Sequence, residues 1–186
     1  VATVMFLVAM AGATLYLGKP AVFAFGNQLW GATEDYVLLS IPLYILLGEV
    51  LVRGGATDKM YRSLADWLNA LPGGLLHTNI GASALFSAVS GSSVATAATI
   101  STIALPTFKS RNYDQRMVLG SIAAGASLGN LIPPGIAFLV YGAMTNTSAG
   151  QLYAAGVVPG LIMTLIFMLT IILISWWKPE LTGANI

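Results

Sequence analysis

The chain has 186 residues, 56% hydrophobic and 8% charged, with eight Lys or Arg, seven Asp or Glu and a net charge of +1. Soluble domains carry about 25% charged residues, so a water-soluble globule of this composition would expose large apolar patches, and neither the charge balance nor any basic–aromatic cluster points to nucleic acid. With no cysteine, disulfides and thiolate metal sites are excluded.

In chain order, an apolar helix is predicted over about residues 1–17. No basic leader precedes it and further apolar runs follow, so it reads as a membrane segment rather than a signal peptide. The start at Val1 rather than Met leads us to expect a truncated N-terminus. After Gly18, Lys19 and Pro20, a shorter apolar run over 20–31 ends at Glu34 and Asp35. Residues 36–52 form a clear span. Over 53–71, Met60, Leu64, Trp67, Leu68 and Leu71 recur at helical spacing beside Asp58, Lys59, Arg62 and Asp66; that pattern predicts an amphipathic helix on the membrane surface. Residues 75–106 are uncharged but polar in the middle, and 107–116 form a short basic loop. Residues 117–142 are apolar, interrupted by GNLIPPG; 145–151 form a polar turn. The cleanest span, 157–177, closes on Trp176, Trp177 and Lys178 at an interface.

The positive-inside rule tests how 75–106 is threaded. A single crossing would put Lys109, Arg111 and Arg116 opposite Arg53, Lys59 and Arg62. A segment that enters and returns on one face puts these six together, with Lys178 beside them. Lys19 joins if 20–33 is a short span, and all eight basic residues then share one side. Two full crossings have the same parity, but arms of about 15 residues reach roughly 22 Å, short of a ~30 Å hydrocarbon core. The expectation is an all-α membrane protein with a re-entrant helical hairpin over 75–106, opening to the cytoplasm, and a broken helix over 117–142. Residues 1–71 would be scaffold, 72–142 the transport-type segment, and 143–186 a turn and terminal span.

The hairpin centre reads SAVSGSSVATAATI from Ser87 to Ile100, with six hydroxyls in fourteen residues. Non-helical backbone at membrane depth is tolerated only where protein buries it or it lines a cavity. A turn at Ser90, Gly91, Ser92 and Ser93 would gather the last carbonyls of one arm and the first N–H groups of the other. Oxygens suit a hard cation; a helix N-terminus suits an anion. The stretches 67–108 and 117–177 contain no Asp or Glu, which disfavours Ca²⁺ and Mg²⁺. His77 is the sole His, near the hairpin entrance, so a proton relay lacks members. A neutral oxygen cage favours a monovalent ion, Na⁺ above others. The competing reading is close helix packing through small residues; it fits the arm hydroxyls Ser83, Ser87, Thr99, Ser101 and Thr102 better than the turn. In SLGNLIPPGI, Pro133 and Pro134 lack N–H donors, so carbonyls around Leu128, Gly129 and Asn130 are expected to be freed; a plain proline kink is the alternative. Glu49 is expected to pair with Arg53, His77 to sit at the interface, and Tyr141 and Tyr153 to pack or anchor. No nucleophile–base constellation or phosphate loop appears, so an enzyme is not expected.

Three ordered stretches, SGSSVATAATISTIALP, GSIAAGASLGNLIPPGI and YGAMTNTSAGQLYAAGVVPG, resemble the large membrane subunit of tripartite ATP-independent periplasmic (TRAP) transporters, the DctM family. IPLYILLGEVLVRGG and GGLLHTNIGASALFSAVSG resemble it too, so the likeness covers nearly the whole chain. The resemblance implies a Na⁺-driven elevator importer of organic acids in the bacterial inner membrane, working with a small membrane subunit and a periplasmic solute-binding protein. It places a sodium site on Ser90, Gly91, Ser92, Ser127, Gly129, Asn130 and Pro133, and organic-acid contacts on Ser92, Ser93, Thr96 and Pro134. Ser101, Gly135 and Thr96 depart from the family pattern, which often has Gly, Ser and Asp there. The family has two inverted repeats and this chain has one, so an N-terminal fragment, or a half that needs a partner, is expected. Two further readings stay open: another ion-coupled anion carrier of dicarboxylate or arsenite type, and a truncated piece with only an assembly role.

Overall fold

Glycine and proline, rather than charge, cut this apolar chain into helices. The computed structural model describes residues 2–16, 18–34, 36–109, 111 and 113–183. In chain order these form α1 (Ala2–Tyr16), α2 (Lys19–Glu34), α3 (Tyr36–Arg53), α4 (Ala56–Leu68), α5 (Leu75–Ser90), α6 (Ser93–Lys109), α7 (Gln115–Ser127), α8 (Ile136–Thr145) and α9 (Ala149–Trp177), with 3-10 turns at Leu128–Asn130 and Pro179–Leu181. Among the described residues there is no strand, only an isolated bridge between Tyr113 and Thr182. Val1, Leu17 and Asp35, which bound the first expected runs, lie outside the described residues, as do Ser110 and Asn112 of the basic loop and the Lys19 side chain.

The chain packs as two units, 1–39 and 40–186. In the first, α1 and α2 pair, and the Phe6 ring meets the edge of Phe25 at 5.5 Å. Lys19 and Pro20 lie in the first turn of α2, where proline's missing N–H has no helical partner to lose. The expected break therefore narrows to the residues before Lys19.

In the second unit, Gly54 and Gly55 end α3, and α4 leaves at 69°. The inward stripe of α4 is Thr57, Tyr61, Leu64 and Leu68, the first two fully buried. Trp67, expected on that stripe, turns outward and is 84% exposed; at about 100° per residue it falls at the stripe's edge. The centre of the unit is α5, on which every residue from Leu75 to Ser83 is buried, as are Phe86, Ser87 and Ser90. Helices α4, α6, α7 and α9 all pack on it. Small residues make the approach possible: a Cβ on Gly81 would lie 3.0 Å from Leu68 Cδ1, and one on Gly125 would lie 2.6 Å from Ser83 Oγ. In lipid such burial gains close packing rather than release from water, which is why small residues line the contacts.

The two helices of the polar segment fold back on each other. The Leu75 amide at the start of α5 donates to the Tyr113 hydroxyl at 3.3 Å, and the Tyr113 ring stands edge-on to Phe108 near the end of α6 at 4.9 Å. The end of α9 arrives at the same place: Asp114 N–H donates to Leu181 O at 3.2 Å, and Ser175 and Thr182 hydroxyls lie 3.0 Å apart. The second arm is longer than expected, running through Pro106 to Lys109. Helix α9 begins at Ala149, not near residue 157, which shrinks the polar turn to Asn146, Thr147 and Ser148. Among the described residues α9 is the helix that is long and apolar enough to cross a bilayer by itself; α3 qualifies jointly with α4 across their bend, and α1 and α8 are shorter apolar helices.

Candidate functional site

At the far end of the α5–α6 pair, two residues leave the helices: Gly91 and Ser92. This is tighter than the expected four, because Ser90 ends α5 and Ser93 begins α6. Gly91 takes the left-handed φ of 60°, which glycine adopts without a Cβ penalty. Its N–H closes α5 on Ser87 O at 2.9 Å. Ser92 caps α6, its Oγ accepting Ala95 N–H at 3.3 Å. Thr96, fully buried, turns into the tip: its hydroxyl donates to Ser92 O at 2.8 Å and lies 3.3 Å from both Ser87 Oγ and Ser90 Oγ. Gly48 of α3 backs the tip, where an added Cβ would sit 3.4 Å from Ser90 Cα.

The break between α7 and α8 lies directly on this tip. Ile136 N–H, opening α8, donates to Gly91 O at 3.1 Å. A side chain on Gly91 would collide with Pro134 O, and a Cβ on Gly129 would lie 2.6 Å from Ser93 N and 2.8 Å from the Ser92 carbonyl carbon. The expectation for the freed carbonyls needs one correction. Leu128 O is occupied, accepting Leu131 N–H at 2.9 Å and Ile132 N–H at 2.8 Å. Gly129 O and Asn130 O are the ones deprived, since their helical donors would come from Pro133 and Pro134, which have none. Both carbonyls point near Gly135, whose added Cβ would lie 3.4 and 3.3 Å from them. The Pro133–Pro134 peptide is cis.

Of the residues singled out, Ser90, Gly91, Ser92, Ser93, Thr96, Gly129 and Pro134 are brought together at this junction, and Pro133 adjoins it. The Ser127 hydroxyl is exposed and donates to Ala124 O of its own helix at 2.6 Å; the Asn130 side chain is also exposed. Their side chains therefore take no part in the tip contacts. Glu49 and Arg53 form the expected ion pair at 2.6 Å. His77 is fully buried at the open end of the arms, with Nε2 2.8 Å from Pro72 O.

A buried polar chain goes beyond the expected residues. Tyr61 Oη on α4 donates to Asn79 Oδ1 on α5 at 2.7 Å; Asn79 Nδ2 donates to Ser121 Oγ on α7 at 2.8 Å; and Ser121 Oγ donates to Val118 O at 2.8 Å. The available signal was Asn79 itself, an amide in a charge-free segment, because a buried amide demands partners.

The profile of the family described as "Tripartite ATP-independent periplasmic transporter, DctM component" matches residues 1–185. The chain is 34% identical over 174 residues to the sialic acid TRAP transporter permease protein SiaT of Haemophilus influenzae, covering 89% of this chain and 28% of that protein. It is 39% identical over 167 residues to the C4-dicarboxylate TRAP transporter large permease protein DctM of Pseudomonas aeruginosa, covering 87% and 38%. It is 31% identical over 152 residues to the 2,3-diketo-L-gulonate TRAP transporter large permease protein YiaN of Escherichia coli, covering 82% and 35%. The chain thus spans about a third of the length of these relatives, which are transporter permeases rather than enzymes. A match over essentially every residue, on an all-helical chain whose hairpin tip meets a proline-broken helix, makes this protein a member of the DctM family of TRAP transporter membrane components.

Proposed function

We propose that this chain is the N-terminal part of a TRAP large permease of the bacterial inner membrane, which imports organic acids with sodium. It would work with a small membrane subunit and with a periplasmic binding protein that delivers the acid. The α5–α6 pair would enter the bilayer from the cytoplasmic face and return to it, and an elevator movement would carry this pair and the broken helix as cargo-bearing parts. The observation that carries this reading is the Ile136 N–H to Gly91 O hydrogen bond of 3.1 Å, which holds the broken helix on the hairpin tip. It brings an uncharged cluster of hydroxyls, and carbonyls deprived of their helical donors, beside the N-termini of α6 and α8. The Gly129 and Asn130 carbonyls with the tip hydroxyls suit a bare monovalent cation. The helix N-termini suit a carboxylate. Sialic acid, C4-dicarboxylates and diketogulonate, named for the relatives, share that carboxylate. Substrate sites in folds built of inverted repeats lie at the repeat interface, so this chain would supply half of one.

The test is uptake by the whole permease, reconstituted with its small subunit and binding protein, of a labelled sialic acid, C4-dicarboxylate and diketogulonate. Uptake of one of them should require an inward Na⁺ gradient and collapse when K⁺ replaces Na⁺. Uptake indifferent to Na⁺, or absent for every carboxylate offered, would overturn the reading.

A further inference from the structure

Beyond the tip, the opposite end of the α5–α6 pair carries a second feature. Where α6 ends and α7 begins, a groove of about 440 Å³ opens to the outside, within the range of small-ligand sites. Its floor is apolar, formed by Leu105 and Phe108 from α6 and Val118 and Leu119 from α7. Its polar lining is Lys109 and Arg111 with Tyr113 and Gln115, and among the described residues neither cation makes an ion pair. The acid closest in sequence, Asp114, is already engaged: its Oδ1 accepts Arg116 N–H at 2.9 Å and Met117 N–H at 3.1 Å as the cap of α7. Arg116 and Lys178 add exposed positive charge at this end.

We propose that this groove binds an anionic phospholipid. Lys109 and Arg111 hold the headgroup phosphate, and an acyl chain runs down the apolar floor between α6 and α7. Three features of the groove argue for a lipid rather than a soluble anion. The cations sit at one end of an apolar trough, not around a closed polar cup. The trough lies between two helices of a membrane protein. Basic pockets between membrane helices at the cytoplasmic surface are where anionic headgroups accumulate. The inference goes beyond the transport reading; it rests only on this end of the helices lying at a bilayer surface.

The whole permease is purified from a membrane containing phosphatidylglycerol and phosphatidylcholine, and retained lipid is counted by native mass spectrometry. Wild-type protein should retain phosphatidylglycerol in preference to phosphatidylcholine. Retention should fall about fivefold for each basic residue removed, hence about 25-fold in Lys109→Gln/Arg111→Gln. Lys59→Gln/Arg62→Gln, which alters basic residues on α4, should retain it as wild type does. Should the double variant fail to fold, Leu119→Trp fills the floor at a half-exposed position and should displace the lipid with the cations intact. Equal retention in wild type and both groove variants would overturn the proposal. So would equal loss in the α4 control. Displacement of the lipid by millimolar inorganic phosphate would do so too, because it would identify a soluble-phosphate site. Sodium-dependent uptake by the same preparations separates a failed lipid proposal from a failed transport reading.

Discussion

Ser92 Oγ accepts Ala95 N–H at 3.3 Å as the N-cap of α6, and the same hydroxyl is a candidate sodium ligand. Replacing a capping serine by alanine costs about 1 kcal/mol, whereas glycine costs only a few tenths. Comparing the two substitutions therefore separates capping from ion binding. Ser92→Ala should lower thermal stability by about 1 kcal/mol and raise the Na⁺ concentration for half-maximal uptake. Ser92→Gly should raise that concentration equally while leaving stability nearly unchanged. Ser83 provides the contrast. It is fully buried and among the described residues its hydroxyl has no hydrogen-bond partner, so Ser83→Ala should keep the wild-type Na⁺ response. Sodium titrations of uptake, with thermal unfolding of each variant, read both quantities. A wild-type Na⁺ response in Ser92→Gly would leave the hydroxyl with capping alone.

Helices α4, α5 and α7 are tied by Tyr61, Asn79 and Ser121, with contacts of 2.7 and 2.8 Å. Stranding a buried polar group costs about 1–3 kcal/mol. Asn79→Ala strands the Tyr61 phenol and removes the donor to Ser121, so a loss of about 2–3 kcal/mol is expected in thermal unfolding. Tyr61→Phe strands only Asn79 Oδ1 and should cost about 1–2 kcal/mol. In the double variant the loss should fall short of the sum by at least about 0.5 kcal/mol; strict additivity would mean the two side chains act independently. How much of this was legible follows from what breaks a helix and what faces it. Gly91, Pro133 and Pro134 end helices by local stereochemistry, so the turn after α5 and the break before α8 could be read directly; the change at the end of α3 shows in the charge that begins at Arg53, which ran the expected amphipathic helix through Gly54 and Gly55 instead of starting it at Ala56. Facing was harder. Over α5 and α9 nearly every residue is apolar or small, so no polar side marks the lipid. On α4 the polar side did mark the stripe, yet Tyr61 proved its buried member and Trp67 its exposed one. The turn at the tip was legible because a glycine within a run of small hydroxyl residues interrupts a helix. That Thr96 turns inward and Ser127 outward depends on tertiary packing.

One end of the 40–186 unit gathers the start of α5, the end of α6 and the end of α9 around Tyr113, through Leu75, Phe108 and Leu181. Lys109, Arg111, Arg116 and Lys178 lie in or beside these segments, so the positive-inside rule predicts a cytoplasmic position for this end. Helix α9 has 29 residues, so at 1.5 Å per residue its first turn lies roughly 43 Å away, farther than a ~30 Å hydrocarbon core is thick. On that topology the loop before α9 is expected on the opposite face, and both arms of the α5–α6 pair, at roughly 24–26 Å each, are expected to stop short of it. The chain contains no cysteine, so single cysteines placed in a cysteine-free whole permease report on this directly. Leu71→Cys and Gln115→Cys flank the pair, and Ser148→Cys caps α9; all three positions are exposed. In right-side-out vesicles a membrane-impermeant maleimide should label position 148 and spare 71 and 115, and in inside-out vesicles the pattern should reverse. Labelling of 71 and 115 from opposite sides would make the pair a full crossing. The sodium and carboxylate sites proposed at Gly91 would then have to be reached by a different route, because a full crossing carries the tip to the opposite face.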